Sequence, residues 1–504
     1  MTTPPLPTVL ILGDQLSRFN GALRGRSPST CRVLFVESAA ALRRRRWHRQ
    51  RAHLVVSAMR HFAAELREVG FEVDYRTAET LIDGVAAHRR SFNVSHIVAT
   101  RPNSHRAVAC LESLDIELLR NRLFLTTPDE FVSWASGRTS LRMEDFYRWQ
   151  RQRLHVLMDD DGPAGGRWNF DAENREPPPR DGRSWPAVEP FPLDGIDRKV
   201  LADLAELPGL ELWGAEPTGW WPVTREQALE RLAAFIEQAL PVFGTHEDAM
   251  LRAEWKMAHS ALSSSLNLGL LHPGEVVYAA EDAYRRHDLP LHCVEGFIRQ
   301  IIGWREYVWG VYWLWGPDYI DSNELDAHAP IPPAFTGDAT TEMACVAHTV
   351  ESLHDRAYTH HIERLMILGN LALSTGIDPR AMSEWMGASF IDGADWVMAP
   401  NVVGMALHAD GGRMATKPYA SGGAYINKMS DHCRGCRFDP RKRTGPDACP
   451  YTSLYWDFLA RNEERLRHNH RMGNQLGGMR RLGDLDETRT RASEVTLMLR
   501  EGRL

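Results

Sequence analysis

Short apolar runs alternate with helix-length amphipathic stretches through the first 130 residues. Val9–Leu12, Val33–Glu37, Val73–Arg76, Ile97–Thr100 and Leu123–Thr126 are β-prone runs, and Trp47–Val69, Thr80–Arg90 and Arg106–Leu119 are long enough for helices between them. Strand–helix alternation at this spacing predicts a five-stranded parallel sheet covered on both faces. Ligands of such sheets lie beyond the carboxyl ends of the strands. Asp14 and Gln15, after Gly13, and Glu37, before Ser38, stand there. Neither a GxGxxG nor a GxxxxGK[ST] pattern follows the first strand, so an ordinary dinucleotide or nucleoside-triphosphate site has little support. A strand end closed by a glycine turn explains these residues equally well.

Periodicity fades between Phe131 and Thr224. The stretch 162–197 is rich in Gly, Pro, Asp and Arg and reads as a surface connector. From Arg225 onward, aromatic and aliphatic residues recur at three- and four-residue intervals, which predicts helices. The organisation expected is an α/β domain (1–130), a linker (131–224) and a large all-helical domain (225–504).

Composition adds mainly exclusions. The 504 residues are 43% hydrophobic and 25% charged, values of a chain with large cores. The formal charge of −7 gives no global field for nucleic acid. One local exception is Arg43–Arg46 with Arg49 and Arg51, a basic run that suits phosphates, though such runs are usually solvated helix faces. The apolar run Val9–Leu12 is too short for a signal-peptide core, and Tyr307–Trp315 is half the length of a spanning helix. These features predict a cytoplasmic protein without a membrane partner.

Seven cysteines, an odd number in a long chain, argue against a disulfide framework. Cys433-x2-Cys436-x12-Cys449-Pro450 can bring three thiolates to one centre, and Cys345, 87 intervening residues upstream, is the available fourth ligand. Four thiolates suit tetrahedral zinc or an iron–sulfur cluster. A distant cysteine, a following proline and helical surroundings lean towards the cluster. Cys31, Cys110 and Cys293 sit in apolar contexts and read as core residues.

The segment EGFIRQIIGWREY (295–307) resembles the helical domain of photolyases and cryptochromes. ILGDQL (11–16), SAMRHF (57–62), GGRWNFDAENR (165–175), HHIERLM (360–366), APNVVGM (399–405), ATKPY (415–419), YINKMSDHCRGC (425–436) and LYWDFLARN (454–462) narrow the resemblance. Together they are similar to the prokaryotic iron–sulfur photolyases, the bacterial (6-4) photolyase and cryptochrome-B group, over nearly the whole chain. The resemblance implies FAD in the helical domain, a [4Fe–4S] cluster on Cys345, Cys433, Cys436 and Cys449, and a 6,7-dimethyl-8-ribityllumazine antenna in the α/β domain. It sets Ser260, Leu262 and Ser263 at the flavin phosphates, where hydroxyls and backbone N–H groups suit anionic oxygens. It sets Arg364 and Asp392 as a buried pair beside the isoalloxazine, with Glu295, Trp304 and Asn401 completing the pocket. Asp14, Gln15 and Glu37 become the hydrogen-bonding residues of the antenna. His361 is the implied proton donor, His360 its positioning partner and Tyr419 a pocket wall, since a histidine suits proton transfer near neutral pH.

Three positions depart from the family. Phe335 replaces an electron-carrying Trp, Met386 stands beside the retained Trp385 where Tyr is frequent, and Met398 occupies a position usually taken by Glu. Phe and Met are poor electron and proton carriers, so slow flavin photoreduction is expected, with Trp396 and Trp304 as other aromatic routes. The leading expectation is light-driven repair of (6-4) photoproducts in UV-damaged DNA by a monomer. The alternatives are a blue-light receptor without repair activity and a light-independent iron–sulfur nucleic-acid binder.

Overall fold

The computed structural model describes residues 6–287 and 289–504. Strands β1 (Thr8–Ile11), β2 (Arg32–Ser38), β4 (Val73–Ala78), β5 (Ile97–Thr100) and β6 (Glu117–Leu119) form one parallel sheet in the order β4-β2-β1-β5-β6; the two-residue β3 (Trp47–His48) lies outside it. Alternate residues supply the two faces. Val9, Ile11, Val33 and Phe35 join the larger core with Leu54, Ala58 and Phe62 of the helix Arg49–Glu68. Leu10, Leu34, Val36 and Ala99 pack towards Val85 and Leu111 of the helices Leu81–Phe92 and His105–Ser113. Gly84 lets one helix approach closely, because a Cβ there would lie 2.4 Å from Val36 Cγ1.

The fifth strand is not the one the apolar pattern favours. Leu123–Thr126 forms no strand, and the edge of the sheet is Glu117–Leu119. Leu123 and Phe124 are buried instead between the domains: Phe124 stacks on Trp309 at 3.6 Å, and Thr126 N–H donates to Glu306. An apolar run of four states burial, not strand pairing.

Residues 131–224 are more structured than their composition suggests, with helices Met143–Leu154 and Gly195–Glu206 among extended segments. Fully buried Arg151 fastens the connector by donating to the Trp168 and Val156 carbonyls. Gly195–Glu206 lies on the helix Arg49–Glu68 through Val200, Leu204, Ala52 and Val56.

The basic run of the first domain forms a seam with the second. Arg45 pairs with Asp395 at 3.7 Å and Arg46 with Asp338 at 3.3 Å, while Arg51 donates to the carbonyls of Phe390 (2.8 Å) and Ile391 (3.3 Å). The His48 ring contacts the His354 carbonyl, and Arg43 pairs with Glu79. Arg45 and Arg51 spend their charges on carboxylates and carbonyls of the protein, whereas Arg44 and Arg46 stay exposed, so the solvated-face reading holds for part of the run. Among the described residues, no helix is long and apolar enough to cross a membrane.

Candidate active site and cysteine centre

Four helices of the second domain widen into π turns among the described residues, at Phe235–Ala239, Arg299–Arg305, Arg364–Gly369 and Ala399–Ala406. Such turns re-aim side chains and concentrate at functional sites. Arg364, at the start of one, donates to Asp392 Oδ1 at 2.8 Å and to the Thr359 carbonyl at 2.7 Å. Its guanidinium lies 4.3 Å from the Phe390 ring centroid. Burial works against the Asp392 carboxylate, but the Arg364 charge and hydrogen bond hold it below the usual range. Asn267 Nδ2 donates to the Asp392 carbonyl at 2.9 Å, tying this loop to the serine turn. There Ala261 adopts φ 54°, Ser263 faces the Asp392 carboxylate, and the buried hydroxyls of Ser264 and Ser265 have no partner. Thr359 Oγ1 and Ser389 Oγ are likewise unpartnered. Buried hydroxyls are rarely left unpaired in a native protein, so this set fits a ligand rich in acceptors. Ser260 Oγ accepts from Leu262 N–H at 3.4 Å.

The histidine pair is split by environment. His360 is 1% exposed, both ring nitrogens lack partners, and burial keeps it neutral. Its ring stacks on His259 at 4.9 Å, and its Nε2 lies 3.7 Å from Glu363, whose carboxyl burial pushes up to about 8. The His361 side chain is 49% exposed and its Nε2 lies 3.2 Å from Asp248. Partial desolvation opposes its charge, but the Asp248 hydrogen bond and the Asp248 and Glu247 charges raise its pKa. Burial moves Glu247 up to about 7, and Gln300 donates to it at 2.7 Å. Tyr419 and Tyr425 lie within electrostatic reach of Asp248 and Arg175, around the same opening. Asp248, Glu247 and His259 carry no sequence signal of their own; only the fold gathers them.

The four cysteines converge. Cys345 opens the helix Ala344–Arg356, Cys449 caps Pro450–Arg461, and Cys433 and Cys436 occupy the turn after Gly423–Met429. All four line one small cavity with Met343, Gly423, His432 and Phe438. Burial and the neighbouring thiols raise Cys433 to about 12 and Cys345 well above its ordinary value. Only a cationic centre would stabilise four thiolates here. A Cβ on Gly423 would lie 2.7 Å from Cys449 Sγ, so a larger side chain would intrude on the space.

Known proteins decide the kinship. The family described as deoxyribodipyrimidine photo-lyase-related protein matches residues 9–215. A (6-4) photolyase of Agrobacterium fabrum is 42% identical over 488 residues, 94% of this chain and 96% of that one. The chain belongs to the photolyase-related family. A bacterial class III photolyase from Agrobacterium tumefaciens superposes with a TM-score of 0.58 over 99% of both chains, at 14% identity, which speaks for the fold alone.

In this photolyase-related chain the other expected residues fall into separate settings. Glu295 is engaged by the connector: its carboxylate accepts from Tyr147 OH (2.8 Å) and Phe170 N–H (2.9 Å) beside Arg299. That occupation, rather than an open pocket edge, explains its complete burial. Asn401 donates to the Val397 carbonyl, and Trp304 packs edge-on against Tyr307 at 6.3 Å. Glu37 takes two hydrogen bonds from Arg60 (2.7 and 2.9 Å) and one from Tyr75 OH. Arg60, Tyr75, Thr77 and Lys199 line a cavity at this carboxyl edge of the sheet. Asp14 faces elsewhere, held by Asn103 at 2.9 Å, and Gln15 donates to the Thr100 and Arg101 carbonyls. Phe335 is fully buried and stacks on Trp385 at 5.2 Å, while Trp396 packs on Trp309 at 5.8 Å. Met386 and Met398 are buried.

Proposed function

We propose that this protein is a light-dependent (6-4) DNA photolyase carrying FAD. The observation that carries the reading is the divided histidine pair: a buried neutral His360 against an accessible His361 held by Asp248. Two neighbouring titratable groups pushed apart by their surroundings mark an acid and its partner. FAD supplies the light-driven electron when bound. Ser260, Ser263 and the backbone at Leu262 would hold its phosphates, and Arg364 with Asp392 would flank its ring system. Their fixed charges favour an anionic reduced ring. The lesion must leave the duplex to reach this site. His361, held at Nε2 by Asp248, then donates a proton to it from Nδ1 and takes it back afterwards, and the Asp248 carboxylate stabilises the imidazolium form before and after that exchange. His360, stacked on His259, positions the pair, and Tyr419 walls the opening. The protein works as a cytosolic monomer on UV-damaged DNA.

The four cysteines would hold a [4Fe–4S] cluster. Four thiolates around one cavity, three from one stretch near the end of the chain and one from a distant helix, support a cluster. A lumazine antenna would use the cavity beside Glu37, lined by Arg60, Tyr75 and Thr77, whereas Asp14 and Gln15 are turned to Asn103 and to the Thr100 and Arg101 carbonyls.

A blue-light receptor without repair is the second reading, favoured by Phe335, Met386 and Met398. The deciding test gives chemically reduced holoprotein an oligonucleotide with one (6-4) photoproduct, in light and darkness. Restoration in light alone supports repair; its absence under both conditions, with flavin bound, favours the receptor.

A further inference from the structure

The buried histidine next to the cysteine centre is used by nothing described so far. His432 is 0% exposed, and neither its Nδ1 nor its Nε2 has a partner. It lines the same cavity as Cys345, Cys433, Cys436 and Cys449. Its backbone is fixed: His432 N–H donates to Ser430 Oγ at 3.3 Å, Ser430 Oγ donates to the Ile426 carbonyl at 2.6 Å, and Asp431 accepts from Arg252 N–H at 3.0 Å. The ring lies 5.1 Å from that of His348 and is tilted against it by 42°, a contact that gives neither ring nitrogen a hydrogen bond. Packing alone would be served better by an apolar ring, because a buried imidazole with two empty hydrogen-bonding positions is costly. A neutral imidazole has one N–H to give, and the strongest acceptors beside this cavity are sulfurs.

We propose that His432 donates its ring N–H to a sulfur of the iron–sulfur centre held by the four cysteines, and thereby sets that centre's reduction potential. The inference rests on the cluster part of the function proposed above. Hydrogen bonds to sulfur and the shielding of a cluster from solvent are the protein's levers on its potential. An N–H donor stabilises the extra negative charge of the reduced state, so His432 raises the potential. It is a positioning residue, not a ligand, since the four thiolates already complete the ligand set. The same ring lies within electrostatic reach of His360, so the metal centre and the repair histidines share a neighbour.

The test uses anaerobically prepared holoprotein, the parent beside His432→Phe, His432→Gln and the control His348→Phe. Iron and sulfide analysis comes first: a parent holding zinc or no metal ends the cluster reading itself, independently of the role of His432. With iron and sulfide equal to the parent, His432→Phe is expected to lower the midpoint potential in a redox titration, His432→Gln to recover part of the shift, and His348→Phe to leave it near the parent's. An unchanged potential in His432→Phe overturns the proposal. Resonance Raman spectra of the parent in H2O and D2O give a second reading that does not depend on a variant loading its cluster. Iron–sulfur stretches that do not respond to exchange overturn it. A responsive band that His432→Gln weakens supports it. Loss of iron in His432→Gln would make the residue a ligand and also overturn the proposal.

Discussion

Asp14 offers the sharpest test of the energetics at the sheet edge, by way of Asp14→Asn. Burial is the main force on its carboxyl, which moves from the ordinary 3.8 to about 6, with Asp395 adding to the rise and the Asn103 hydrogen bond and Arg51 charge opposing it. A raised carboxyl means that the folded chain keeps a proton which the unfolded chain releases. Stability therefore falls as pH climbs from about 4 to about 6 and is level on either side of that window. The whole shift corresponds to a penalty of at most about 3 kcal/mol above pH 6, an upper bound because the residue keeps some solvent contact. Asparagine retains an oxygen for Asn103 and carries no charge to bury. At pH 7.5 the variant should be more stable by about 1–3 kcal/mol, and the gain should vanish by about pH 4. Urea unfolding of parent and variant across that range, followed by tryptophan fluorescence, measures it. Equal stability at pH 7.5, or a gain that persists unchanged at pH 4, would refute the argument. A confirmed gain would also mark Asp14 as a residue kept at the expense of stability, as functional acids often are.

Other expectations concern the seam, the metal centre and the electron path. Arg51→Met strips two buried carbonyls of a charged donor and leaves Asp392 with one fewer cation, so a loss of about 3–5 kcal/mol is expected; unfolding with the parent's midpoint and slope would contradict this. Cys436→Ala should abolish the broad iron–sulfur absorption and destabilise the helical domain, because bound metal and folding are coupled; iron analysis and thermal melts decide it. Phe335→Trp puts an oxidisable ring against Trp385 and should speed photoreduction of oxidised flavin, while overpacking the site by about 1–3 kcal/mol. Fast, complete photoreduction in the parent, read from flavin absorbance under blue light, would show that Trp396 or Trp304 carries the current instead.

What the sequence disclosed depended on whether the signal was local. Strands β1, β2, β4 and β5 came from short β-prone runs bounded by turns, and the structure keeps them to within two residues. The edge strand Glu117–Leu119 escaped because a half-exposed three-residue run has no strong pattern, whereas Leu123–Phe124 looks like a strand while being an interdomain plug. The four cysteines were legible because thiols are scarce and their spacing is restrictive. Asp248 and Glu247 were not, since acidic residues are common and only the fold brings them beside His361. The arginine run shows the same limit in reverse. Its charge is visible in the sequence, but its partners, Asp395, Asp338 and the Phe390 carbonyl, lie some 300 residues away.

That seam has a consequence for how such proteins can be taken apart or recombined. Residues 45–51 of the first domain read named groups of the second, and the Trp47–His48 strand pairs with Leu212–Trp213 of the connector. The first domain is therefore not a cassette that could be exchanged by cutting at a loop. A chimera with a relative's sheet would inherit one half of each clasp and not the other, leaving the partly buried Arg45 and Arg51 guanidiniums without the groups that answer them. Any division of labour between a light-collecting part and a chemical part is soldered in place, at a separation and angle fixed by side chains. Lineages that changed one part would have had to change Arg45, Arg46 and Arg51 together with the distant residues that answer them.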